Sequence, residues 1–348
     1  MAYTGTAYGD ITPRQAAYSM AGFLKRAIAL MTIERFGQTY QVPANNTATA
    51  KFRRYFLAGA GGSAGPGTGD FNVPVATTAL TEGVTPAGRK LSSKDYTVTL
   101  QQYGDYVEFS DVIQDIHEDY PGLLKEMMDL LGESAAMTVE TLRFNILKAG
   151  TNVFYANGAS RAAVNSTLTL ALQRSITKSM KRQNANTISS VLSSSANYNT
   201  QPIEAAFICL IHTDLENDVR DMDGFIGTKH YASTQPFPGE VGSVEDVRYI
   251  RSTVFVPWED AGGLAATNDV MSTTGVNADV YPAIYLAKDA FGTVALRGKS
   301  VANIMVVMPK ASSGDPLGQR GTAGWKLWNG TVILQDAFLV RAEVAASA

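Results

Sequence analysis

The amino-acid sequence predicts an α+β architecture, and three features carry that prediction. Residues 119–150 read as one long helix, because Leu123, Leu124, Met127, Met128, Leu131, Ala135, Val139, Leu142, Ile146 and Ala149 recur at the three- and four-residue spacing of a single buried stripe. Stretches of period-two alternation flank it, at 51–57 and 94–109 before it and at 331–343 after it. Between the helix and the closing strands, residues 203–320 form a strand-rich block of short apolar runs separated by Gly, Pro and Asn.

Taken in order, residues 1–12 are irregular. Thr12-Pro13-Arg14-Gln15 then forms a capping box with Pro at the first helical position. The amphipathic helix that follows aligns Met20, Phe23, Leu24, Ala27, Ile28 and Met31, and Gly37 ends it. Such an arm can dock on its own core or on a neighbour. The strand at 51–57 puts Phe52 and Phe56 on one side and Arg53, Tyr55 and Leu57 on the other. A Gly-rich loop at 59–69 and a turn-rich segment to 93 follow. In 94–109, Tyr96, Val98 and Leu100 alternate in even phase, Val107 and Phe109 in odd phase. The slip between them predicts a β-bulge at Gly104. The two strands together make an extended hairpin.

Asp119 can cap the long helix, Pro121 suits its first turn and Gly150 stops it. Its span of ~42–45 Å exceeds the ~30 Å breadth of a small domain, so it reads as a strut along which other elements lie. A short strand at 152–156 follows, then a second helix marked by Leu168, Leu172, Ile176 and Met180, with a basic tail of Lys178, Lys181 and Arg182. Residues 186–201 are a Ser/Asn-rich linker, and 203–211 a buried strand. Thr213-Asp214-Leu215-Glu216 reads as a capping box that opens a helix to Met222. Residues 248–256, 280–287, 293–296 and 303–307 read as strands, with loops at 224–247 and 259–279, and 325–328 and 331–345 close the chain as two more. No internal repeat is present.

Composition narrows the function. Charged residues are 18% of the 348, against ~25% for a typical soluble chain. Depleted charge characterises the middle of protein–protein interfaces; composition leaves a partner-covered surface and a Ser/Thr-rich monomer equally open. A net charge of −3, from 29 basic and 32 acidic residues, argues against a dedicated nucleic-acid reader. The single cysteine, Cys209, excludes an internal disulfide and lies in an apolar run as a buried, inert thiol. No secretory signal is visible, since Asp10 and Arg14 interrupt the start, and no run reaches the ~18 apolar residues of a membrane helix.

Motifs for chemistry fail one by one. Gly83 to Gly88 is followed by Arg89-Lys90-Leu91 and a strand, where a phosphate loop needs Lys, Ser/Thr and a helix. Gly298-Lys299-Ser300 has the right end at the wrong spacing from Gly292, and the glycines of 59–65 lack a following helix. His117-Glu118 has Pro121 where a zinc helix needs its second His. His212 lies near Asp214, Glu216, Asp218, Asp221 and Asp223, but Val219 and Phe225 stand where a calcium loop needs Gly and Glu. A metal-dependent enzyme built there is therefore a remote alternative, and the helix dipole accounts for most of the acids. Lys51, Arg53 and Arg54, with Phe52 and Tyr55 interleaved, read as a charged strand edge before they read as a nucleic-acid contact. No catalytic, cofactor-binding or metal residue is assigned, and the strut, hairpin and arm point to an assembling protein.

The chain also resembles the major capsid proteins of tailed bacteriophages, in the branch typified by the coat protein of N-four-like podoviruses. The resemblance is carried by Tyr8-Gly-Asp-Ile-Thr-Pro-Arg14, Leu80-Thr-Glu-Gly-Val-Thr-Pro86, Gln102-Tyr-Gly-Asp105, Ser110-Asp-Val112, His117-Glu-Asp119 and Leu147-Lys-Ala-Gly-Thr-Asn152. It continues in His212-Thr-Asp-Leu-Glu216, the stretch from Pro238 to Val247, Asn277-Ala-Asp-Val-Tyr-Pro282, the stretch from Gly314 to Gly321, and Gly324-Trp-Lys326. It implies a Hong Kong 97-type fold, with 1–50 as N-arm, 51–109 as extended hairpin loop, 110–200 as peripheral domain around a spine helix at 119–150, 201–320 as inserted axial domain and 321–348 as the return strands of the peripheral domain. It further implies pentamers and hexamers closing into an icosahedral shell around double-stranded DNA, with portal, scaffolding and cementing proteins as partners. The implied location is the virion capsid, assembled in the host cytoplasm, with non-specific DNA contact and no membrane. Lys90 and Lys94 lie in the hairpin region, with nothing to place partners for a covalent crosslink. An encapsulin-like cellular nanocompartment shell on the same fold is the alternative.

Overall fold

The computed structural model describes residues 32–45, 47–58, 79–86, 88, 90–116, 120–192, 200–231, 236–297, 302–312 and 314–348. The capping box at 12–15, the Gly-rich loop at 59–69, His117-Glu118, the cap Asp119 and Lys299-Ser300 lie outside them. Of the expected N-terminal helix, Ile33–Phe36 is described, as one 3-10 turn that ends at Gly37.

An eight-stranded sheet is the centre of the molecule. It contains β5 (Val153–Tyr155), β6 (Ile188–Leu192), β7 (Thr200–Ile211), β8 (Phe225–Gly227), β9 (Glu240–Val244), β10 (Val247–Arg251), β11 (Tyr281–Leu286) and β15 (Leu339–Val344). Its order is β5-β15-β11-β7-β10-β9-β8, with β6 paired to the start of β7. Residues 206–211 are buried without a break, because both faces are covered and neither phase of the alternation reaches solvent. Phe207, Cys209, Ile211, Tyr249, Tyr285 and Val340 face one side, where Ile176 and Met180 of helix α3 (Leu170–Arg182) pack on them. Ile208, Leu210, Ile250, Ile284 and Leu339 face the other, against Phe144, Leu147, Ile33 and Phe255.

A second sheet joins β1 (Gln38–Val42), β12 (Phe291–Leu296), β14 (Arg320–Ile333) and β13 (Asn303–Val307), with β4 (Gln101–Ser110) along β14. Short helix α1 (Asp111–Ile116) follows β4 and precedes α2 (Tyr120–Lys148), the expected strut, whose 29 residues extend about 43 Å. Met128, Leu131, Ala135 and Val139 of α2 pack on Phe109, Val306, Ala323, Trp325 and Leu327 of the second sheet. One and a half turns further on, Phe144 and Leu147 enter the core of the first sheet. The strut thus ties the two sheets together. Helix α4 (Glu216–Arg220) follows β7.

Several sequence expectations need correction. Residues 186–201, expected as a linker, carry β6 and the start of β7, and the loop expected at 224–247 carries β8 and β9. No bulge occurs at Gly104, which pairs with Lys326 in an unbroken register. The stretch 94–109 is instead two strands, β3 (Lys90–Thr99) and β4, which change partners at Leu100; the phase slip marks that change. Gly104 serves close approach, since a Cβ there would lie 2.6 Å from the Trp325 carbonyl oxygen. Residues 320–333 form one strand and the break falls at Asp336–Phe338, because Gly330 admits Val98 rather than ending a strand. The strand expected at 248–256 stops at Arg251. Finally, His212, not Thr213, caps the turn before α4, its Nδ1 accepting from the Asp214 N–H at 3.3 Å.

Candidate assembly surfaces

β2 (Thr49–Ala58) and β3 form a two-stranded hairpin in continuous antiparallel register from Thr49↔Thr99 to Ala58↔Lys90. β4, expected as part of this hairpin, belongs to the body. The hairpin root is anchored by Ala50 and Val98, which pack with Val42, Leu100 and Val294. Two glycines permit that anchoring: a Cβ on Gly330 would meet Val98 at 2.9 Å, and one on Gly292 would meet Phe52 at 2.9 Å. Beyond the root several described side chains are open to solvent. Tyr55 is 61% and Leu91 66% exposed, and Leu80 and Val84 in the connecting segment are exposed too.

Two arginines of β2 have partners within the chain. Arg53 lies opposite Asp95 and forks onto it, Nε to Oδ1 at 2.7 Å and Nη2 to Oδ2 at 2.8 Å. That bond raises the Arg53 pKa and holds the Asp95 carboxyl below its ordinary value. Arg54 donates to Gln335 Oε1 at 2.8 Å. The Arg53–Asp95 pair ties β2 to β3 across the hairpin.

The root of the N-terminal segment is fixed by a buried acid of α2. Glu140, 1% exposed, accepts at Oε1 from the N–H groups of Thr32 (3.2 Å) and Ile33 (3.1 Å) and from the Thr32 hydroxyl. It thereby supplies the acceptor that the first N–H groups of the 3-10 turn need. Burial pushes its pKa up, against the Thr32 hydroxyl and the charge of Arg143. Arg143 also binds Glu34 at 3.0 Å.

About two turns further on, at the C-terminal end of α2, Trp258 collects three cations. Lys148 Nζ stands 3.9 Å and Arg161 Cζ 3.6 Å from its ring centroid, with Arg341 Cζ at 5.6 Å. Fully buried Glu343 accepts twice from Arg161, both at 2.8 Å, and lies 3.0 Å from Arg341 Nε. Burial, then the charges of Arg161 and Arg341, lower the Lys148 pKa to about 8. This clasp joins the end of α2 to β15 and the 256–258 turn.

His212 Nδ1 is 3.1 Å from Asp214 Oδ2, which also accepts from the Tyr281 hydroxyl at 2.7 Å. Glu216 is taken by Arg220 and Arg251, and Asp218 by the Ser347 N–H. Asp214, Glu216 and Asp218 are thus committed to hydrogen bonds and ion pairs, and the described residues contain no cluster of three metal-ligating side chains. Cys209 is buried, which drives its thiol pKa well up. No helix among the described residues is long and apolar enough to cross a membrane. Sequence reasoning located the hairpin and the strut but missed Glu140 and the Trp258 clasp. The available signal was charge, Glu140 and Arg143, falling close beside the apolar stripe of α2.

The sequence matches the family described as "Phage capsid protein" over residues 94–342. The chain belongs to this family of phage capsid proteins. Solved capsid structures share its fold. The capsid of Ralstonia phage GP4 is 14% identical, with a TM-score of 0.61 over 91% of this chain and 89% of that one. The capsid of cyanophage P-SCSP1u is 14% identical, with a TM-score of 0.55 over 91% and 88%. That of cyanophage Pam1 is 16% identical, with a TM-score of 0.53 over 91% and 90%. Comparison with curated proteins gives no match. The capsid protein is therefore a structural component of the virion capsid that assembles with its own copies, not an enzyme. The metal-dependent and nanocompartment readings have no support from these comparisons.

Proposed function

We propose that this capsid protein builds the pentamers and hexamers of an icosahedral shell around double-stranded DNA, on a Hong Kong 97-type fold of the N-four-like podovirus branch. The observation that carries this reading is the β2–β3 hairpin, rooted on its own body yet leaving Tyr55 and Leu91 uncovered. A neighbouring subunit supplies the missing cover. Residues 1–50 are the N-arm, held at Thr32 and Ile33 by Glu140, and α2 is the spine helix. The peripheral part centres on α2 with β4, β13 and β14, and the axial part on the eight-stranded sheet. Because α3 and β15 pack in that sheet, the axial part draws in residues from 151–200 and from 339 onward. Heterologous contacts of this kind close into rings, and closure multiplies modest interfaces. Portal, scaffolding and cementing proteins complete the particle, which forms in the host cytoplasm. Electron microscopy of the expressed full-length chain tests the reading. Uniform polyhedral shells with five- and six-fold capsomers are expected; a population of monomers at every concentration and salt would contradict it.

A further inference from the structure

Helix α3 has a one-sided charge. Its thirteen residues include Arg174, Lys178, Lys181 and Arg182 and no acid. Gln173, Ile176, Thr177 and Met180 are buried against the eight-stranded sheet, and all four cations are exposed on the opposite side. Arg174, Lys178 and Arg182 follow one another at four-residue steps, about 6 Å apart along the axis. The residues between them on the outer side, Ala171, Ser175 and Ser179, are small and neutral. The four cations and Thr177 line an open cavity of about 490 Å³, closed on its far side by Glu245 and Asp246 of the β9–β10 turn.

Those two carboxylates offset half of the charge. Glu245 accepts from Arg174 at 2.9 Å and Asp246 from Lys181. Both pairs are exposed, and exposed pairs exchange readily for other anions. Among the described residues Lys178 and Arg182 make no ion pair. Within the groove lining four cations face two carboxylates, an excess of two positive charges, with the charge of Asp223 also reaching Arg174, on a chain whose net charge is −3.

We propose that this outer face of α3 contacts the packaged double-stranded DNA through its phosphates, without reading sequence. The inference rests on the capsid-shell reading above. A duplex presents one negative charge about every 1.7 Å of its axis, so a row of cations some 12 Å long meets several phosphates in any register. Arg supplies a fork for phosphate oxygens and Lys a point charge. The face has no aromatic side chain to stack on bases, and its small neutral residues offer no base-edge readout. Two cations without an ion pair among the described residues give a weak, salt-sensitive contact, repeated over every copy of the shell.

The test is a salt titration of a random-sequence linear duplex binding to the unassembled full-length chain. Replacing Lys178 and Arg182 together, Lys178→Gln with Arg182→Gln, should reduce the slope of log K against log salt by about 1.8, at 0.9 per lost phosphate contact. The control Lys229→Gln, exposed and away from the groove, should leave it unmoved. In assembled particles, Lys178 should be acylated several-fold more slowly in DNA-filled shells than in emptied ones. An unchanged slope, or equal labelling in filled and empty shells, overturns the inference. So does a double variant with an unmoved slope whose shells no longer close, which would assign the face to a neighbouring subunit. If the wild-type chain forms no shells, the proposed function itself has failed; if it forms shells and the slope is unmoved, only the α3 inference has.

Discussion

The eight-stranded sheet and the β2–β3 hairpin are both built of β-strands, and they bury their side chains in opposite ways. In the sheet, β11 is buried at all six positions, covered by α3 on one face and by the end of α2 on the other. In the hairpin, β3 has one fully buried residue, Val98, and its outer half is exposed. The sheet is complete within one chain, and its stability is set there. The hairpin is held at its root and exposed at Tyr55 and Leu91 beyond it, so in the proposed assembly its energetics belong to the particle. A capsid subunit needs both: a body that folds before it meets its copies, and limbs whose burial depends on meeting them.

The largest effect that would sharpen this contrast is in the sheet. Tyr285 is fully buried and its hydroxyl is 3.2 Å from that of Tyr249. Tyr285→Ala should destabilise the unassembled subunit by about 3–5 kcal/mol, read from the denaturant midpoint. A loss below about 1 kcal/mol would mean that the sheet is not the stabilising core. Next comes Gly104→Val, where the added side chain meets backbone rather than a movable side chain. It should cost ~1–3 kcal/mol by prying β4 from β14. A neutral result would restore the bulge expected from the sequence.

Two smaller effects follow from titration. Lys148 has a folded-state pKa lowered to about 8 from 10.5, so the unfolded chain binds the extra proton between those values. Subunit stability should therefore rise with pH across that window, and Lys148→Met should flatten the rise. Glu140 has its pKa raised by burial, so the folded state is the one that holds the extra proton. Its contribution is fully present below the ordinary carboxylate value and declines as pH rises through the folded pKa. Glu140→Gln should remove that dependence in thermal unfolding followed against pH; a dependence of the same size in the variant would assign it to another group.

Much of the fold is legible in the sequence where burial is periodic or continuous. The apolar stripe of α2 and the unbroken apolar run of β7 fix both elements without tertiary knowledge. Legibility fails where a residue answers to a distant partner. A strand that changes partners at Leu100 and a strand with a bulge leave the same phase slip, and only the register to β14 separates them. Gly104 and Gly330 look like interruptions in a one-dimensional reading because the backbone and side chain they admit lie on other strands. The same limit hid two functional anchors. Glu140 reaches back 108 residues to Thr32, and Arg161 reaches forward 182 to Glu343. The hairpin itself was legible from alternation, but its pairing of β2 with β3 rather than with the whole of 94–109 was not.

The hairpin offers the most direct test, because Tyr55 and Leu91 leave most of their surface exposed within one chain. Tyr55→Ser combined with Leu91→Ser should leave the unassembled subunit within about 0.5 kcal/mol of wild type. Sedimentation of the same protein under assembling conditions is the deciding measurement. The variant should remain as subunits and small oligomers where the wild type closes into shells. Shells that form from the double variant at wild-type yield would show that the hairpin's outer face is not completed by a neighbour, contradicting the account.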